Sequence, residues 1–228
     1  MRRRSNQETT GSVHHPLFAR FYARMSVAAE YGAGMAAHRA ELLAGLSGRV
    51  IEIGAGNGLN FAHYPRTVSE VVAVEPEPRL RGLARTAAVR SGVPVDVVPG
   101  TAESLPLKSE AFDAAVVSLV LCSVRDPART CAEIARVLRP GGEVRFLEHH
   151  RSDRPGVAAF QRVLDGTVWP LLLGGCHSAR DPLGTLRTAG FDIGPYRNLR
   201  VPAGGLPLPT SAHVLGRAIR LPDDGPRG

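Results

Sequence analysis

The chain has 228 residues, of which 43% are hydrophobic, 21% charged and 5% aromatic, a composition typical of one enlarged globular domain and not of a disordered or fibrous chain. The longest apolar run, 114–124, is interrupted by two serines and is shorter than the roughly 20 residues of a membrane helix. Residues 1–12 contain no apolar stretch and predict no signal peptide. We therefore expect a cytoplasmic protein without a transmembrane segment.

Charge and cysteine content disfavour several kinds of partner. The 28 basic residues exceed the 21 acidic ones and give a net charge of +7, and Lys108 is the sole lysine. The arginines are scattered and no aromatic residues alternate with them, which makes a nucleic-acid partner unlikely. The chain has 3 cysteines without a CxxC pair, and its paired histidines lack partners at metal-ligand spacing. We expect no metal, and the sequence leaves the oligomeric state open.

The first predicted element is a helix within residues 13–46. Apolar and aromatic side chains recur there at helical spacing: Leu17, Phe18, Phe21, Tyr22 and Met25. Such a pattern predicts an amphipathic helix that packs on the rest of the domain. The apolar stripe either faces the core or forms a lid over a ligand site.

From Arg49 onward, short β-branched runs alternate with stretches of helical periodicity, which is typical of βαβ units and a parallel sheet. The predicted strands are 49–53, 70–75, 93–98, 112–119 and 143–148, and the predicted helices are 58–64, 77–91 and 127–138. Asp126 is the expected N-cap of the last helix, which should end at the Pro-Gly-Gly sequence 140–142. Residues 156–190 predict further helix, followed by strands at 191–199 and 211–219 that a Pro/Gly-rich loop joins.

The strongest local signal is the glycine-rich turn that follows the first strand. Gly54, Gly56 and Gly58 form a GxGxG sequence, in which glycine permits positive φ and close approach of a ligand to the backbone. Glu75 stands 21 positions after Gly54, at the tip of the second strand, where a carboxylate can accept both hydroxyls of a ribose. The sequence therefore predicts a ligand that contains a ribose. An NAD site would have GxGxxG instead, so NAD is the second candidate.

These motifs resemble those of the class I S-adenosylmethionine-dependent methyltransferases. The GxGxG turn resembles the family's first motif, Glu75 its acidic residue after the second strand, and 100–106 its adenine-binding turn; 112–117 resembles its fourth strand and 134–142 the helix and turn before its fifth. The resemblance implies a doubly wound, seven-stranded Rossmann-like α/β sheet. That sheet would be mostly parallel, with an antiparallel C-terminal hairpin and an N-terminal helical extension. It also implies S-adenosylmethionine as cofactor and S-adenosylhomocysteine as product.

The resemblance carries a set of cofactor-binding residues. They are Glu52, Gly54, Ala55, Gly56, Gly58, Asn60, Glu75, Pro76, Thr101, Ala102, Glu103, Ser118 and Leu119. Glu52 either orients the glycine loop through its backbone or approaches the methionine amino group. Thr101 departs from the family, which most often has aspartate there, and its hydroxyl is a weaker acceptor than a carboxylate.

Within the family, the chain looks most like the methyltransferase type 11 group and, in part, the methyltransferase-like thiol S-methyltransferases. The stretches that carry this likeness are 58–61, 64–65, 119–124, 146–149, 161–165 and 169–176. They imply a small-molecule acceptor, with a thiol sulfur favoured. The alternatives are an oxygen or carbon acceptor, such as a quinone precursor or natural product, and a cofactor-binding protein without turnover.

Few catalytic groups are expected, because the sulfonium of the cofactor is already an activated methyl donor. His149, beside the carboxyl end of the fifth strand, is the candidate base, with a structural histidine as the alternative. The candidate acceptor pocket comprises Tyr22, Cys122, Asp165, Trp169, Cys176 and His177. For Cys122 the alternative is a small buried apolar role, the usual one for a free cysteine. The predicted organisation is a loosely packed N-terminus (1–12), one methyltransferase domain (13–220) and a tail (221–228). That domain divides into a helical lid (13–46), a cofactor-binding core (49–148) and substrate-side helices and strands (149–220).

Overall fold

The computed structural model describes residues 16–167, 169–172, 174–204 and 208–222. The predicted loose segment 1–12 and the tail from 223 onward lie outside these residues. The helices are α1 (Pro16–Gly32), α2 (Met35–Leu43), α3 (Pro78–Ala88), α4 (Pro127–Val137), α5 (Pro155–Asp165), α6 (Trp169–Leu172) and α7 (Pro182–Thr188). The strands are β1 (Gly48–Ile53), β2 (Val68–Val74), β3 (Val95–Val98), β4 (Phe112–Ser118), β5 (Leu138–His149), β6 (Phe191–Arg200) and β7 (Ala212–Arg220).

The strands form one seven-stranded sheet in the order β3-β2-β1-β4-β5-β7-β6. Neighbours from β3 to β5 pair in parallel, whereas β7 pairs antiparallel with both β5 and β6. The predicted fold class is thereby confirmed. The strand order reverses between β1 and β4, and ligands of open α/β sheets bind at the carboxyl ends of the strands beside such a reversal.

Each face of the sheet has its own apolar core. Successive residues of a strand point to opposite faces, and Val50 and Ile51 accordingly belong to different clusters of buried side chains. Helices α4 and α7 contribute to the cluster of Ile51, and α2 and α3 to that of Val50. Helices therefore cover the sheet on both sides, and its carboxyl edge is left to the connecting loops.

The predicted start of α4 is confirmed, whereas the helix predicted directly after the glycine turn is not formed. Asp126 caps α4 by accepting from the Arg129 N–H at 2.9 Å. The helix predicted at 58–64 is wrong, since that segment contains only a 3-10 turn, Phe61–His63. Gly58 has φ of 79°, which no helix tolerates, and Pro65 restricts Tyr64 to the extended conformation that it adopts.

The later elements differ from the prediction in two ways. β5 begins at Leu138 and passes through the Pro-Gly-Gly sequence 140–142, because a register shift against β4 accommodates the extra residues. The helical stretch predicted at 156–190 divides into α5, α6 and α7. Gly174 and Gly175, at φ of 62° and 89°, separate α6 from α7.

Two residues of the apolar stripe predicted for α1 do not face the core. Phe21 and Met25 are 50% and 41% exposed, so that interpretation is wrong for them; the side chains of Leu17 and Phe18 lie outside the description. Tyr22, by contrast, faces inward against the glycine turn. No described helix combines the length and apolar character needed to cross a membrane.

Candidate active site

The glycine turn after β1 has the backbone conformation that its sequence predicts. Gly54, Gly56 and Gly58 have φ of 66°, 58° and 79°. A Cβ atom would lie 2.7 Å from Val120 Cγ2 at Gly54 and 2.8 Å from the Phe61 ring at Gly58. At Gly56 it would lie 3.2 Å from the ring of Tyr22. The outer glycines are thus required by packing, whereas the middle one faces a side chain of α1.

Glu75 holds this turn from the end of β2. Its carboxylate accepts from the backbone N–H of Gly56 at 2.8 Å and from that of Glu77 at 2.9 Å. The side chain is buried, and burial raises the pKa of Glu75 to about 7 against the opposing effect of the two backbone donors. A carboxylate with this pKa changes charge readily when a ligand supplies further donors.

Glu52 contacts side chains instead. It accepts from Asn60 Nδ2 at 3.0 Å and from the Tyr64 hydroxyl at 2.7 Å. Burial raises the pKa of Glu52 to about 7, although both donors lower it. Sequence analysis considered Glu52 as the residue that orients the glycine loop. Among the described residues, the carboxylate that accepts from the backbone of this loop is that of Glu75.

A buried arginine that sequence analysis missed connects the N-terminal helices to the site. Arg39 of α2 pairs with Glu30 of α1 at 2.8 Å, donates to Asn60 Oδ1 at 2.8 Å and reaches Ser118 Oγ at 3.4 Å. Arg39 and Glu30 are both nearly inaccessible to solvent. The network ties α1 and α2 to the ends of β1 and β4. No spacing rule signals it, because the partners come from four separate segments.

The remaining predicted cofactor residues lie along the same sheet edge. Thr101 forms a small bridge with Ser104, and the Glu103 carboxylate accepts from the Arg125 N–H at 2.9 Å. Leu119 has a positive φ of 60° directly after β4. Also at this edge are the buried Ala55 and Ala102 and the half-buried Pro76.

Two cysteines and a histidine lie close together near the ends of β4 and β5. Cys122 follows β4, His149 ends β5 and Cys176 lies between α6 and α7; their sulfur and nitrogen atoms lie within 4.8 Å of one another. His149 Nδ1 is 3.3 Å from Cys176 Sγ. Contact with Cys122 and then with His149 lowers the pKa of Cys176, whereas the pKa of Cys122 is raised by Cys176 and by burial. Cys176 is therefore the more acidic of the two thiols. We call these three residues the Cys-His-Cys cluster.

Glu148 positions the loop that carries Cys122. Its fully buried carboxylate accepts from the backbone N–H groups of Val120, Leu121 and Cys122 at 2.8, 3.0 and 3.3 Å. Burial raises the pKa of Glu148 to about 7 despite these donors. The segment after Cys176 is joined to the same loop, since the His177 N–H donates to the Cys122 carbonyl at 2.8 Å.

The other predicted pocket residues are Asp165 at the end of α5, Trp169 at the start of α6, and His177 between α6 and α7. Asp165 accepts from the N–H groups of Ser178 and Ala179 at 2.8 and 2.9 Å, which fixes the segment beyond Cys176. His177 Nδ1 lies 2.7 Å from the Gly175 carbonyl. The Trp169 indole N–H is buried and finds no acceptor among the described residues.

Tyr22 packs against the glycine turn, where its ring would lie 3.2 Å from a Cβ at Gly56. Burial raises its pKa, Arg39 opposes this, and the negative charges of Glu75, Cys122 and Glu52 raise it further. The loop after β4 also reaches the turn, since Val120 Cγ2 would lie 2.7 Å from a Cβ at Gly54. Cys122, two residues further on, therefore lies near the glycine turn.

The comparisons with known proteins agree with this geometry. Residues 51–146 match the family model described as a methyltransferase domain. The human thiol S-methyltransferase TMT1A is 32% identical over 89% of this chain and 86% of its own length. The mouse thiol S-methyltransferase TMT1B is 34% identical over 78% of this chain and 74% of its own length. The chain belongs to the S-adenosylmethionine-dependent methyltransferases.

The fold of this methyltransferase also recurs among solved structures. A SAM-dependent methyltransferase from Thermotoga maritima is similar with a TM-score of 0.64 and 24% identity, covering 90% of this chain and 98% of that one. At this identity the likeness concerns the fold alone. The similarity shows that the two chains share the same overall fold.

S-adenosylmethionine is the cofactor of this methyltransferase. The turn at Gly56 offers the backbone cradle that a Cβ would fill, and a buried carboxylate stands beside it at Glu75. A cationic sulfonium with a ribose suits such an acidic, partly enclosed edge. The residues present fit the group.

Proposed function

We propose that this methyltransferase methylates the sulfur of a small thiol. The observation that carries the proposal is the extent of similarity to the thiol S-methyltransferases. The family model matches 51–146, but TMT1A matches across 89% of the chain, so the likeness extends far into the segments that supply the acceptor side of the site. Those segments include the Cys-His-Cys cluster.

The carboxyl edge of β1, β2 and β3 is the proposed cofactor site. Glu75 would accept the ribose hydroxyls while it keeps the backbone of Gly56 in place, and the turn at 101–103 would border the adenine. Arg39 supports this edge through Asn60. When bound, S-adenosylmethionine supplies an electrophilic methyl group, and the chain's own task is to bind, orient and exclude water.

The edge of β4 and β5 is the proposed acceptor site. Tyr22 would border it on the side of the glycine turn, and the indole N–H of Trp169 and the ring of His149 would be polar groups on its margin. A thiol with a pKa near ~8.5 needs only modest help to become a thiolate, so a thiol acceptor would need no dedicated strong base. An oxygen or carbon acceptor would require His149 as a base.

A matched acceptor panel tests the proposal. The purified protein is incubated with methyl-labelled cofactor and with pairs of compounds that differ only in carrying a thiol or a hydroxyl, together with phenols and quinols. We expect label in the thioether product and none in the hydroxyl partner. Label on a phenol or quinol instead would establish the oxygen or carbon alternative, and tight cofactor binding without release of S-adenosylhomocysteine would establish a binding protein without turnover.

The same preparation tests the rival nucleotide. We expect no change in NADH fluorescence when the protein is added at micromolar concentration, because the glycine spacing is not that of a dinucleotide site. A saturable change would reverse this assignment.

A cytoplasmic location is part of the proposal. All three cysteines, Cys122, Cys131 and Cys176, are free thiols, as is usual in a reducing compartment. Fractionation of cells that express the tagged chain would reveal it in the cytoplasmic fraction, and recovery in the membrane fraction would contradict this location.

A further inference from the structure

The Cys-His-Cys cluster has a geometry that an ordinary apolar acceptor pocket does not need. Two sulfur atoms and one ring nitrogen lie within 4.8 Å of one another. A tetrahedral zinc ion with bonds of about 2.0 to 2.3 Å keeps such atoms roughly 3.6 to 3.8 Å apart. The 3.3 Å between His149 Nδ1 and Cys176 Sγ is close to this spacing, so small side-chain rotations would close all three ligands on one ion. Among the residues that the structure describes, no other group of three such side chains converges.

We propose that Cys122, His149 and Cys176 bind one Zn²⁺ ion and leave a fourth coordination position for the sulfur of the acceptor thiol. Two cysteines and one histidine with an open position form a recognised catalytic donor set, whereas structural zinc sites have four protein ligands. Thiolate ligands also select zinc over magnesium or calcium. The role of the fourth position rests on the proposed function, but the metal site itself does not.

The surrounding chain holds the ligands in place without the ion. Glu148 fixes the backbone of the Cys122 loop through three N–H groups. The loop that carries Cys176 is latched to it by the hydrogen bond from the His177 N–H to the Cys122 carbonyl. At Gly175, with φ of 89°, a Cβ would lie 2.6 Å from the Ser123 carbonyl oxygen, so the two loops touch. Metal sites depend on such outer contacts to orient their ligands.

The chemistry suits a thiol acceptor. As the acceptor binds, its S–H bond breaks, the proton leaves to solvent water, and the sulfur keeps the electron pair and forms the bond to Zn²⁺. A thiol coordinated in this way is deprotonated outright at neutral pH. β4 lies beside β1 in the sheet, and Val120, two residues before Cys122, packs against Gly54 of the glycine turn, so the cluster lies next to the cofactor edge. In the transfer, an electron pair of this sulfur would form the bond to the methyl carbon while the methyl–sulfonium bond breaks, and the electron pair of that bond would stay on the sulfur of S-adenosylhomocysteine. The methylated product is a neutral thioether, a poorer zinc ligand than a thiolate, and can leave.

Metal content and cobalt spectroscopy test the site without any turnover. The full chain is purified without chelators and its zinc content is measured, and metal-free protein is then titrated with Co²⁺. We expect about one Zn²⁺ per chain, and with Co²⁺ a thiolate-to-metal charge-transfer band together with the intense visible bands of tetrahedral cobalt. The double variant Cys122→Ser/Cys176→Ser should lose both signals. Cys131→Ala removes the third thiol, which lies on α4 and is buried in the core, and should retain them.

The outcomes separate this inference from the proposed function. Addition of a thiol acceptor to the cobalt protein should shift the charge-transfer band, and the matched alcohol should not. A folded wild-type chain that takes up neither metal, or a double variant that binds them as the wild type does, would overturn the site even if thiols are methylated. A cobalt spectrum that thiols leave unchanged would overturn the role of the fourth position while the metal site stands.

Discussion

The Glu75 carboxylate accepts the backbone N–H of Gly56 at 2.8 Å, which joins the end of β2 to the centre of the glycine turn. The carboxyl group is buried, and its pKa is raised to about 7. The residue proposed to bind the cofactor ribose therefore already organises the backbone against which the cofactor would lie. Its protonation state links cofactor binding to pH.

Cofactor affinity should depend on pH through Glu75. Below pH about 7 the free protein holds a proton on this carboxyl group, and ribose hydroxyls that donate to the carboxylate lower its pKa and expel that proton. Binding thus releases a proton, so affinity rises with pH. We expect the dissociation constant of S-adenosylmethionine from calorimetry to be about tenfold larger at pH 6 than at pH 8.

Matched carboxyl variants identify the group responsible. Glu75→Gln should weaken binding at pH 8 by about 100-fold, since charged hydrogen bonds contribute roughly 1.5 to 3 kcal/mol each, and should remove the pH dependence. Glu52→Gln changes a second buried carboxyl group with a pKa of about 7 and should preserve it. A pH dependence that survives Glu75→Gln and disappears in Glu52→Gln would reassign the linked proton.

Gly58 and Gly56 of the turn should differ in the effect of a substitution by alanine. Gly58→Ala places a Cβ 2.8 Å from the Phe61 ring and 2.9 Å from the Ala87 Cβ, so we expect a loss of unfolding free energy of about 1 to 3 kcal/mol. Gly56→Ala meets only the Tyr22 ring, at 3.2 Å, and should lose less stability but more cofactor affinity. Urea unfolding and calorimetry of both variants check the contrast, and equal effects on both quantities would contradict it.

The glycine turn, the sheet and Glu75 were predictable because each depends on local sequence. β-branched runs, positive-φ glycines and a carboxylate at a strand end are signals that neighbouring residues carry. The extended start of β5 was not predictable, since a Pro-Gly-Gly sequence normally ends an element and is tolerated here by a register shift against β4. Pairing with another strand overrode the local signal.

Topology alone predicts only part of the Cys-His-Cys cluster. Cys122 and His149 follow neighbouring parallel strands, so their proximity at one edge could be anticipated. Cys176 is held at that edge by tertiary contacts: the Asp165 carboxylate accepts from the N–H groups of Ser178 and Ala179, and the His177 N–H donates to the Cys122 carbonyl. The spacing of residues in the sequence does not indicate such contacts. We expected no metal because that expectation was based on spacing.

The buried ion pair between Arg39 and Glu30 should be important for stability when only one partner is removed. Each side chain is 7% exposed, and loss of one partner leaves the other charge buried, which costs about 3 to 5 kcal/mol. We expect Arg39→Met to lower the unfolding free energy by that amount in urea. The double variant Glu30→Gln/Arg39→Met should be less destabilised than Arg39→Met alone, because no unpaired charge remains. A double variant as unstable as the sum of the two single variants would show that the pair is not coupled.

The pH dependence of the reaction should follow the acceptor and not the enzyme. The thiolate is the nucleophile, so at subsaturating acceptor the rate should rise with pH as the thiolate fraction rises and then level off. A series of thiols with graded pKa values, measured at saturating cofactor to remove the effect of Glu75, should shift the inflection in parallel with the acceptor pKa. The shift should have the same sign whether the thiol is free or coordinated, because a more acidic thiol loses its proton at lower pH in both cases. An inflection that stays fixed across the series would mean that a group of the protein controls the proton, as expected for an oxygen or carbon acceptor with a dedicated base.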